Sequence, residues 1–394
     1  MPSTRRLPRL QTVKREAEQV TPLELFFDLV FVLAITQCTA LMADNLAWTG
    51  VLQALAVLAV LWWSWVGYAW LTSVVDPEEG AVRLVMFAAM AGLLVAALCV
   101  PQAFGDLALT FAIAYGVVRG SHIGLFVLAS RDQPEFRRSV VGLGIGTAIG
   151  VGLLVTASFF DGWTQAMLWS VAIVLDVGEP YLFGAEGWQL HAEHFAERHG
   201  LIVIIALGES IVAIGVGAAG EVDAGVIVAA VLGVGLAALQ WWAYFDVVAI
   251  VATDRLASLP PGREQNTMAR DSYSYLHFPM VAGIVLVALG LKKTLEHTGD
   301  PLKSVAAVAL AGGAALYLLA HVAFRLRNLG TLNVQRLVVA GLLLALIPVG
   351  MHVPALATLA LVTALYAALI GYEATHFATE RDQIRHQLRA SHSE

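Results

Sequence analysis

The chain has 394 residues, of which 58% are hydrophobic and only 13% are charged, and its formal net charge is −7. A soluble protein carries about 25% charged residues, so this composition excludes a water-soluble domain and indicates lipid as the main solvent. The charges are mostly confined to loops and form no basic stripe, so we expect the lipid bilayer as a partner and no nucleic acid. The two cysteines, Cys38 and Cys99, both lie in apolar segments, which excludes a disulfide framework.

Twelve apolar segments are long enough to cross a bilayer, which takes about 20 apolar residues in a helix. In chain order they are residues 23–43, 51–72, 82–102, 107–129, 138–160, 163–183, 195–218, 224–251, 275–292, 304–325, 336–351 and 354–376. The first segment follows a polar, basic stretch. No small-residue cleavage site comes before the second segment, so we interpret the first as an uncleaved helix. The predicted fold is an all-α polytopic membrane protein with about twelve transmembrane helices.

The arginines in the loops indicate the orientation, since Lys and Arg concentrate in cytoplasmic loops. If the N-terminus is cytoplasmic, the inner loops hold Arg131, Arg137, Arg138, Arg255, Arg263, Arg270, Arg325, Arg327 and Arg336. The outer loops hold few basic residues besides Lys292, Lys293 and Lys303. This distribution predicts that both termini are cytoplasmic.

Landmarks recur in the same order in the two halves of the chain. The matched residues are Trp62-Trp63 with Trp241-Trp242, Phe87 with Phe278, Ala91-Gly92 with Ala282-Gly283, and Arg138 with Arg336. This order predicts two six-helix halves, 21–185 and 186–376, between a basic tail at 1–20 and a cytoplasmic tail at 377–394. Halves with an even number of spans have the same orientation, as in the parallel repeats of some transporters. The alternative is a chance alignment of apolar helices.

Three stretches carry a family resemblance: residues 24–37 (ELFFDLVFVLAITQ), 61–70 (LWWSWVGYAW) and 193–215 (EHFAERHGLIVIIALGESIVAIG). Together they resemble the bacterial low temperature requirement A (LtrA) family, over about residues 20–380. The resemblance implies a polytopic protein of the bacterial inner membrane, in a family named for a growth phenotype in the cold. It brings no established catalytic residues.

Glu24 and Asp28 open the first predicted span, and their spacing places both carboxylates on one face of a helix. Glu24 fits a capping box, with Thr21 as the N-cap and Pro22 at the first helical position. A role in ion coupling is the alternative for Glu24. Asp28 lies one turn further in and is flanked by phenylalanines. We interpret it as a buried, functional carboxylate, because intramembrane carboxylates mark ion and proton pathways.

The densest group of ionisable residues is at 191–199, where the seventh predicted span begins. Glu197 and Arg198 are candidates for ion coupling, and His194 is a secondary candidate in a structural or gating ion network. A solvated helix end is a further alternative. His191, His194 and Glu197 form a weak candidate metal set, since imidazole and carboxylate groups bind transition metals. Their spacing matches no recognised metal signature.

Two further candidates for transport or ion coupling, Glu209 and Arg119, are charged residues deep inside predicted spans. Glu209 is twelve residues, or about 18 Å of helix, beyond Glu197. Arg119 lies near the middle of the fourth span, with His122 as a secondary candidate about one turn on. A charge inside the bilayer needs a partner, so we expect Arg119 to pair with Glu209 or Asp28.

Acidic residues near the predicted cytoplasmic ends of spans form the last group of candidates. Asp176 and Glu179 in the sixth span and Asp246 in the eighth are secondary candidates, and Glu373 lies at a similar depth in the twelfth. Together with Asp28, they predict an acidic inner vestibule.

A ladder of small residues, Gly142, Gly146 and Gly150, runs along the fifth span. This spacing is typical of a close-packing helix face. The face fits either a contact inside the chain or a homodimer interface.

The favoured function is a secondary transporter of a small molecule or ion, with proton coupling through the buried carboxylates. Two alternatives stay open: a membrane-embedded, metal-dependent enzyme at residues 191–199, and a membrane sensor without turnover. No soluble catalytic domain or phosphate-binding loop occurs in the sequence. The sequence therefore identifies neither a substrate nor a cofactor.

Overall fold

The computed structural model describes residues 19–78, 80–182, 188–220, 222–379 and 381–383. Most of the predicted N-terminal tail and the last eleven residues of the predicted C-terminal tail lie outside the described residues. Within the described part the regular structure is helical, apart from isolated bridge residues at Val75 and at the pair Pro301 and Pro354.

The chain up to Gly217 forms seven helices with short connections. They are α1 Pro22–Asp44, α2 Trp48–Thr72, α3 Gly80–Cys99, α4 Ala108–Ala129, α5 Pro134–Ala157, α6 Gly162–Leu182 and α7 Ala192–Gly217. A short 3-10 turn at Val100–Gln102 follows α3, because Pro101 cannot continue the α-helical hydrogen bonds. Asp161 precedes Gly162, which opens α6 at a positive φ of 59°.

The chain from Ala224 onward forms eight helices, and several of them follow one another closely. They are α8 Ala224–Phe245, α9 Val248–Ala257, α10 Arg263–Met268, α11 His277–Glu296, α12 Ser304–Ala307, α13 Gly313–Leu329, α14 Val334–Gly350 and α15 Ala355–His376. π-Helical segments at Ala269–Tyr275 and Val308–Gly312 join α10 to α11 and α12 to α13. Each of the twelve predicted apolar segments thus contains a helix.

The lengths and composition of these helices confirm the predicted fold class. Ten helical segments of the described chain are long and apolar enough to cross a membrane. Val334–Gly350 is apolar but shorter, and α6 is not among the ten. The protein is therefore a polytopic all-α membrane protein, while the exact number of twelve spans stays a prediction.

The contacts divide the chain into two compact units. Unit 1 comprises Met1–Gln37, Ala56–Arg198 and Pro260–Thr267, and unit 2 comprises Cys38–Leu55, His199–Leu259 and Met268–Glu394. Within unit 1, α4 packs between α3 and α5, and α5 packs on α6. Within unit 2, α13 packs between α11 and α14, and α15 packs on α14 and α8. The predicted halves at 21–185 and 186–376, and their duplication, stay predictions.

Glycines bring two helices of unit 2 unusually close together. A Cβ on Gly283 of α11 would lie 2.8 Å from the backbone oxygen of Gly313 at the start of α13. A side chain at either position would therefore push the helices apart, which is the usual role of small residues in membrane helix packing.

Candidate functional site

The capping box predicted at the start of α1 is present. The Glu24 carboxylate is fully buried, and its Oε2 accepts hydrogen bonds from the Thr21 backbone N–H at 2.9 Å and from the Thr21 hydroxyl at 3.0 Å. In return, the Glu24 N–H donates to Thr21 Oγ1 at 3.4 Å. These bonds satisfy N–H groups that the first helical turn leaves without intrahelical partners.

The other oxygen of Glu24 takes part in a buried ion network within unit 1. Glu24 Oε1 lies 2.9 Å from His194 Nε2 and accepts from Arg198 Nη1 at 3.5 Å. Both partners come from the first turns of α7, and both are fully buried. One oxygen of Glu24 therefore serves the predicted capping box and the other an ion pair, while a role of Glu24 in ion coupling stays a prediction.

Asp28 is fully buried, as its flanking phenylalanines predict, and it also binds Arg198. Its Oδ1 accepts from Arg198 Nη2 at 2.5 Å and from the Trp65 indole N–H at 2.8 Å. Among the described residues, no donor reaches the other oxygen, Oδ2. The expected pairing of Asp28 with Arg119 is wrong, since Arg198 occupies this carboxylate.

Arg198 connects three helices of unit 1. Besides Glu24 and Asp28 of α1, it donates from Nη1 to Thr72 Oγ1 at the end of α2, at 2.9 Å, and its Cζ lies 5.5 Å from the Trp65 ring centroid. A planar guanidinium suits this role, because it presents several donors in one fork and also packs on an aromatic face. We call Glu24, Asp28, His194 and Arg198 the Arg198 network.

His194 is a member of that network and is not placed as a metal ligand. Its Nε2 faces Glu24, and its Nδ1 lies 3.3 Å from Ser73 Oγ. Glu197 is exposed and accepts from the Val20 N–H at 3.1 Å. Within the described residues, no three His, Cys, Asp or Glu side chains are grouped so that they could hold a metal ion. The weak metal set of His191, His194 and Glu197 therefore does not assemble.

A second buried network centres on Arg119 of α4. Arg119 is 1% exposed, and its Nη2 donates to Asp176 Oδ1 at 2.7 Å and to Thr147 Oγ1 at 2.8 Å. The Tyr115 hydroxyl donates to the other Asp176 oxygen at 2.5 Å. Asp176 is thus the carboxylate that neutralises Arg119, which corrects the expected pairing with Glu209 or Asp28. Glu209 itself is 2% exposed and belongs to unit 2.

Glu179 lies beside this ion pair, three residues after Asp176 on α6. It is 2% exposed, and neither carboxylate oxygen has a hydrogen-bond donor in the described part of the chain. The charges of Arg119 and Asp176 both act on it. Across the helix contact, an added Cβ at Gly146 would lie 2.7 Å from Glu179 Oε1. The absence of a side chain at Gly146 is therefore what makes room for the carboxylate.

His122, one turn after Arg119, also fits against a glycine. It is 1% exposed, and an added Cβ at Gly67 of α2 would lie 2.8 Å from its Cε1. Its ring packs near Tyr68 and Phe126, with centroid distances of 5.4 Å and 4.8 Å. The candidate residue therefore lies in an aromatic setting beside the Arg119 pair.

The glycine ladder of α5 makes contacts inside unit 1. Gly146 faces Glu179, and an added Cβ at Gly150 would lie 3.8 Å from the Ala172 oxygen of α6. These contacts fit the internal alternative for two of the three glycines. A homodimer through Gly142, Gly146 and Gly150 stays a prediction.

Unit 2 contains a third network, built around Arg336 in the first turn of α14. Its Nε and Nη2 donate to the two oxygens of Glu373 of α15, each at 2.9 Å. Asn333, the N-cap of α14, donates from Nδ2 to the same Glu373 at 3.2 Å. Nearby, Arg381 donates from Nε to Asp246 Oδ2 at 2.8 Å. The sequence pattern assigned Arg336 to a loop. Asn333, three positions before it, was the sequence signal for the start of a helix.

These ion pairs correct the prediction of an acidic vestibule, because most of its carboxylates are neutralised. Four of its five carboxylates are bound by arginines within one unit: Asp28 by Arg198, Asp176 by Arg119, Asp246 by Arg381 and Glu373 by Arg336. A buried charge without a counterion is costly, and an arginine on a neighbouring helix removes most of that cost. Glu179 is the member of the set that has no arginine within salt-bridge distance among the described residues.

Comparisons with known proteins identify the relatives of this chain. The family model described as "Bacterial low temperature requirement A protein (LtrA)" matches residues 19–371. An uncharacterized protein of Rhizobium meliloti is 31% identical over 307 residues, which cover 75% of this chain and 74% of the relative. No solved structure matches the chain. The matched range contains the complete Arg198 and Arg119 networks.

Proposed function

As a member of the bacterial low temperature requirement A family, this chain is a multi-pass membrane protein, and we propose that it is a secondary transporter of a small molecule or ion. The proposal includes proton coupling at buried carboxylates. It also includes a location in the bacterial inner membrane with both termini in the cytoplasm, as the loop arginines indicate.

The observation that carries the proposal is the arrangement of Arg119, Asp176 and Glu179. One guanidinium stands beside two buried carboxylates, so the group is electrically neutral when one carboxylate holds a proton. Asp176 has the guanidinium and the Tyr115 hydroxyl, whereas no donor within the described residues reaches Glu179. A charged carboxylate buried without a donor is costly, and taking up a proton removes that cost. Glu179 is therefore the proposed proton carrier.

This arrangement supplies the two states that a coupled transporter needs. With the proton on Glu179, Arg119 pairs with Asp176, as described above. Loss of that proton leaves a carboxylate that competes for the same guanidinium. A shift of Arg119 toward Glu179 would then change the contact of α4 with α6, and transporters alternate by such movements of packed helices.

The Arg198 network contains a second group of the same kind. Glu24 and Asp28 supply two negative charges against one guanidinium, and a proton on His194 completes the charge balance. All four side chains are fully buried. This network supports the proposal as a further buried site whose charge depends on a single proton.

The two alternative functions differ in what they require. A metal-dependent enzyme at residues 191–199 needs His194 as a ligand, and both of its ring nitrogens already face partners in the protein. We therefore do not propose the enzyme. A sensor without turnover would respond to a ligand without net movement of protons or solute, and the following experiment separates it from a transporter.

The test uses the purified protein in proteoliposomes with a trapped pH-sensitive dye. Alkali cations, divalent cations, amino acids and small organic acids are added in turn under an imposed pH gradient. At least one of them should drive proton movement in the wild type. Glu179→Gln should abolish that movement, whereas Glu135→Gln, at an exposed position in the first turn of α5, should leave it unchanged. Proton movement that is equal in the two variants, or that no solute elicits, would overturn the proposal.

A further inference from the structure

A cavity of about 350 Å³ lies within unit 2, among the end of α8, the start of α14 and the end of α15. This volume is at the lower end of the roughly 300–1,000 Å³ that is typical of small-molecule sites. The polar side chains that matter for its chemistry are His321, Arg325, Asn333, Arg336, Glu373 and Arg381. None of the functions considered above uses this cavity.

The charges around the cavity leave an excess of positive charge. Three guanidiniums line it, from Arg325, Arg336 and Arg381, against the single carboxylate of Glu373. Glu373 is held by Arg336 at 2.9 Å through both oxygens, and Arg381 is held by Asp246. Arg325 donates from Nε to the uncharged Thr331 hydroxyl at 3.0 Å, and no carboxylate of the described chain lies within salt-bridge distance of it.

The first turn of α14 adds to this positive potential. Asn333 is the N-cap of this 17-residue helix, and Asn333, Gln335 and Arg336 all line the cavity. The N-terminal end of a helix carries a partial positive charge and free N–H groups, so it favours an anion.

A buried histidine gives an independent sign that the cavity holds a ligand. His321 is 1% exposed and lines the cavity. Its Nδ1 donates to the Tyr317 backbone oxygen at 2.8 Å, because a carbonyl oxygen can only accept. Its Nε2 is buried and has no hydrogen-bond partner among the described residues. A buried polar atom without a partner is costly, and a ligand with a hydrogen-bond donor would satisfy it.

The remaining wall of the cavity is apolar and partly aromatic. Trp242 of α8 is 44% exposed, and Val247, Val248, Leu332 and Phe377 also line the cavity. Such a wall fits the hydrocarbon or aromatic part of a ligand, while the arginines fit a carboxylate or phosphate group.

We propose that this cavity is a binding site for a small amphipathic organic anion. Its acidic group faces Arg325 and the start of α14, its apolar part packs on Trp242, and a hydroxyl group satisfies His321 Nε2. The proposal does not depend on transport, because it concerns equilibrium binding to unit 2.

The test is calorimetric titration of the purified full-length protein with matched probes. Benzoate, 3-hydroxybenzoate and phenyl phosphate supply the anionic group, benzyl alcohol is the neutral control, and benzylamine is the cationic control. The anions should bind and the controls should not. 3-Hydroxybenzoate should bind more tightly than benzoate, since its hydroxyl group cannot reach its own carboxylate and is free to donate to His321 Nε2. Benzylamine or benzyl alcohol binding as tightly as benzoate would overturn the proposal, as would no measurable binding of any anion.

Variants assign the binding to the cavity. Arg325→Gln should weaken benzoate binding by about 10- to 100-fold, the usual effect of removing a charged hydrogen-bond donor. Arg327→Gln is the matched control, because Arg327 lies two residues along α13, binds Asp271, and leaves that carboxylate its second partner, Arg270. His321→Leu, which removes the acceptor, should remove the preference for 3-hydroxybenzoate and leave benzoate binding intact. Equal affinities in the Arg325 and Arg327 variants would place the anion elsewhere.

If Arg325→Gln does not fold, Arg325→Lys, which keeps the charge but loses the planar fork, should bind benzoate with intermediate affinity.

Discussion

Arg198 binds Asp28 at 2.5 Å across 170 residues of sequence, and both side chains are fully buried. The pair joins the first turns of α1 to the first turns of α7. These are the two helices whose sequences carry most of the family resemblance. The contact gives a physical reason why both motifs contain charged residues inside apolar stretches.

The Asp28–Arg198 pair should behave as a coupled unit in unfolding. Asp28→Asn or Arg198→Gln should each lower the free energy of unfolding by about 3–5 kcal/mol, because each leaves the partner charge buried. The double variant should lose less than the sum of the two. Reversible unfolding in mixed detergent would measure all three. Additive losses would mean that the two residues do not interact.

The two oxygens of Glu24 should have separable effects on stability. Thr21→Ala removes the hydroxyl that donates to Oε2 and accepts from the Glu24 N–H, and it should cost about 1 kcal/mol. Glu24→Gln should cost more, because it also removes the charge that faces His194 and Arg198 through Oε1. The same unfolding measurement applies. Equal costs for the two variants would indicate that the cap is the whole role of Glu24.

A side chain at Gly146 should displace the Glu179 carboxylate. Gly146→Ala places a Cβ 2.7 Å from Glu179 Oε1 and should cost about 1–3 kcal/mol through overpacking. Gly152→Ala is the matched control on the same helix, since nothing lies within 4 Å of the added Cβ.

A second change identifies the cause of the Gly146 effect. Shortening the opposing side chain in the double variant Gly146→Ala/Glu179→Ala should relieve the clash. A loss that persists in that variant would show that the strain arises from the backbone of α5 and not from Glu179.

Reporter fusions should place both chain ends on the same side of the membrane. A reporter after Glu394 should be active only if its position is cytoplasmic, and one inserted between Asp161 and Gly162 should report a periplasmic position. The expectation follows from the excess of arginine in the inner loops. A periplasmic C-terminus would contradict the orientation, and finding the two reporters on the same side would contradict the seven spans predicted between them.

Local features of the site could be predicted from the sequence, and long-range pairings could not. The capping box of Thr21 and Glu24 was predictable because both partners lie within one helical turn. The burial of Asp28 followed from its phenylalanine neighbours. The pairing of Arg119 with Asp176 joins helices 57 residues apart. Hydropathy shows that a segment is buried in lipid or protein. It does not show which other helix the segment contacts.

In the fold, too, local features could be predicted from the sequence and long-range ones could not. Long apolar runs gave the helices nearly to their ends, since a lipid environment requires every backbone group to be satisfied within its own helix. The π-helical segment at Ala269–Tyr275 was not predicted, because no local sequence signal marks it. The cavity beside α14 was missed as well, because its polar residues come from α13, from the start of α14 and from Arg381 beyond α15.

The long sequence separation of the Asp28–Arg198 pair has a consequence for biosynthesis. Ribosomes add about 5–20 residues per second, so roughly 10–30 s pass between the emergence of Asp28 and that of Arg198. During this interval α1 carries two carboxylates whose counterion does not yet exist. The first helix must therefore wait at the membrane surface, hold its carboxylates as neutral acids, or be sheltered by the insertion machinery until α7 arrives.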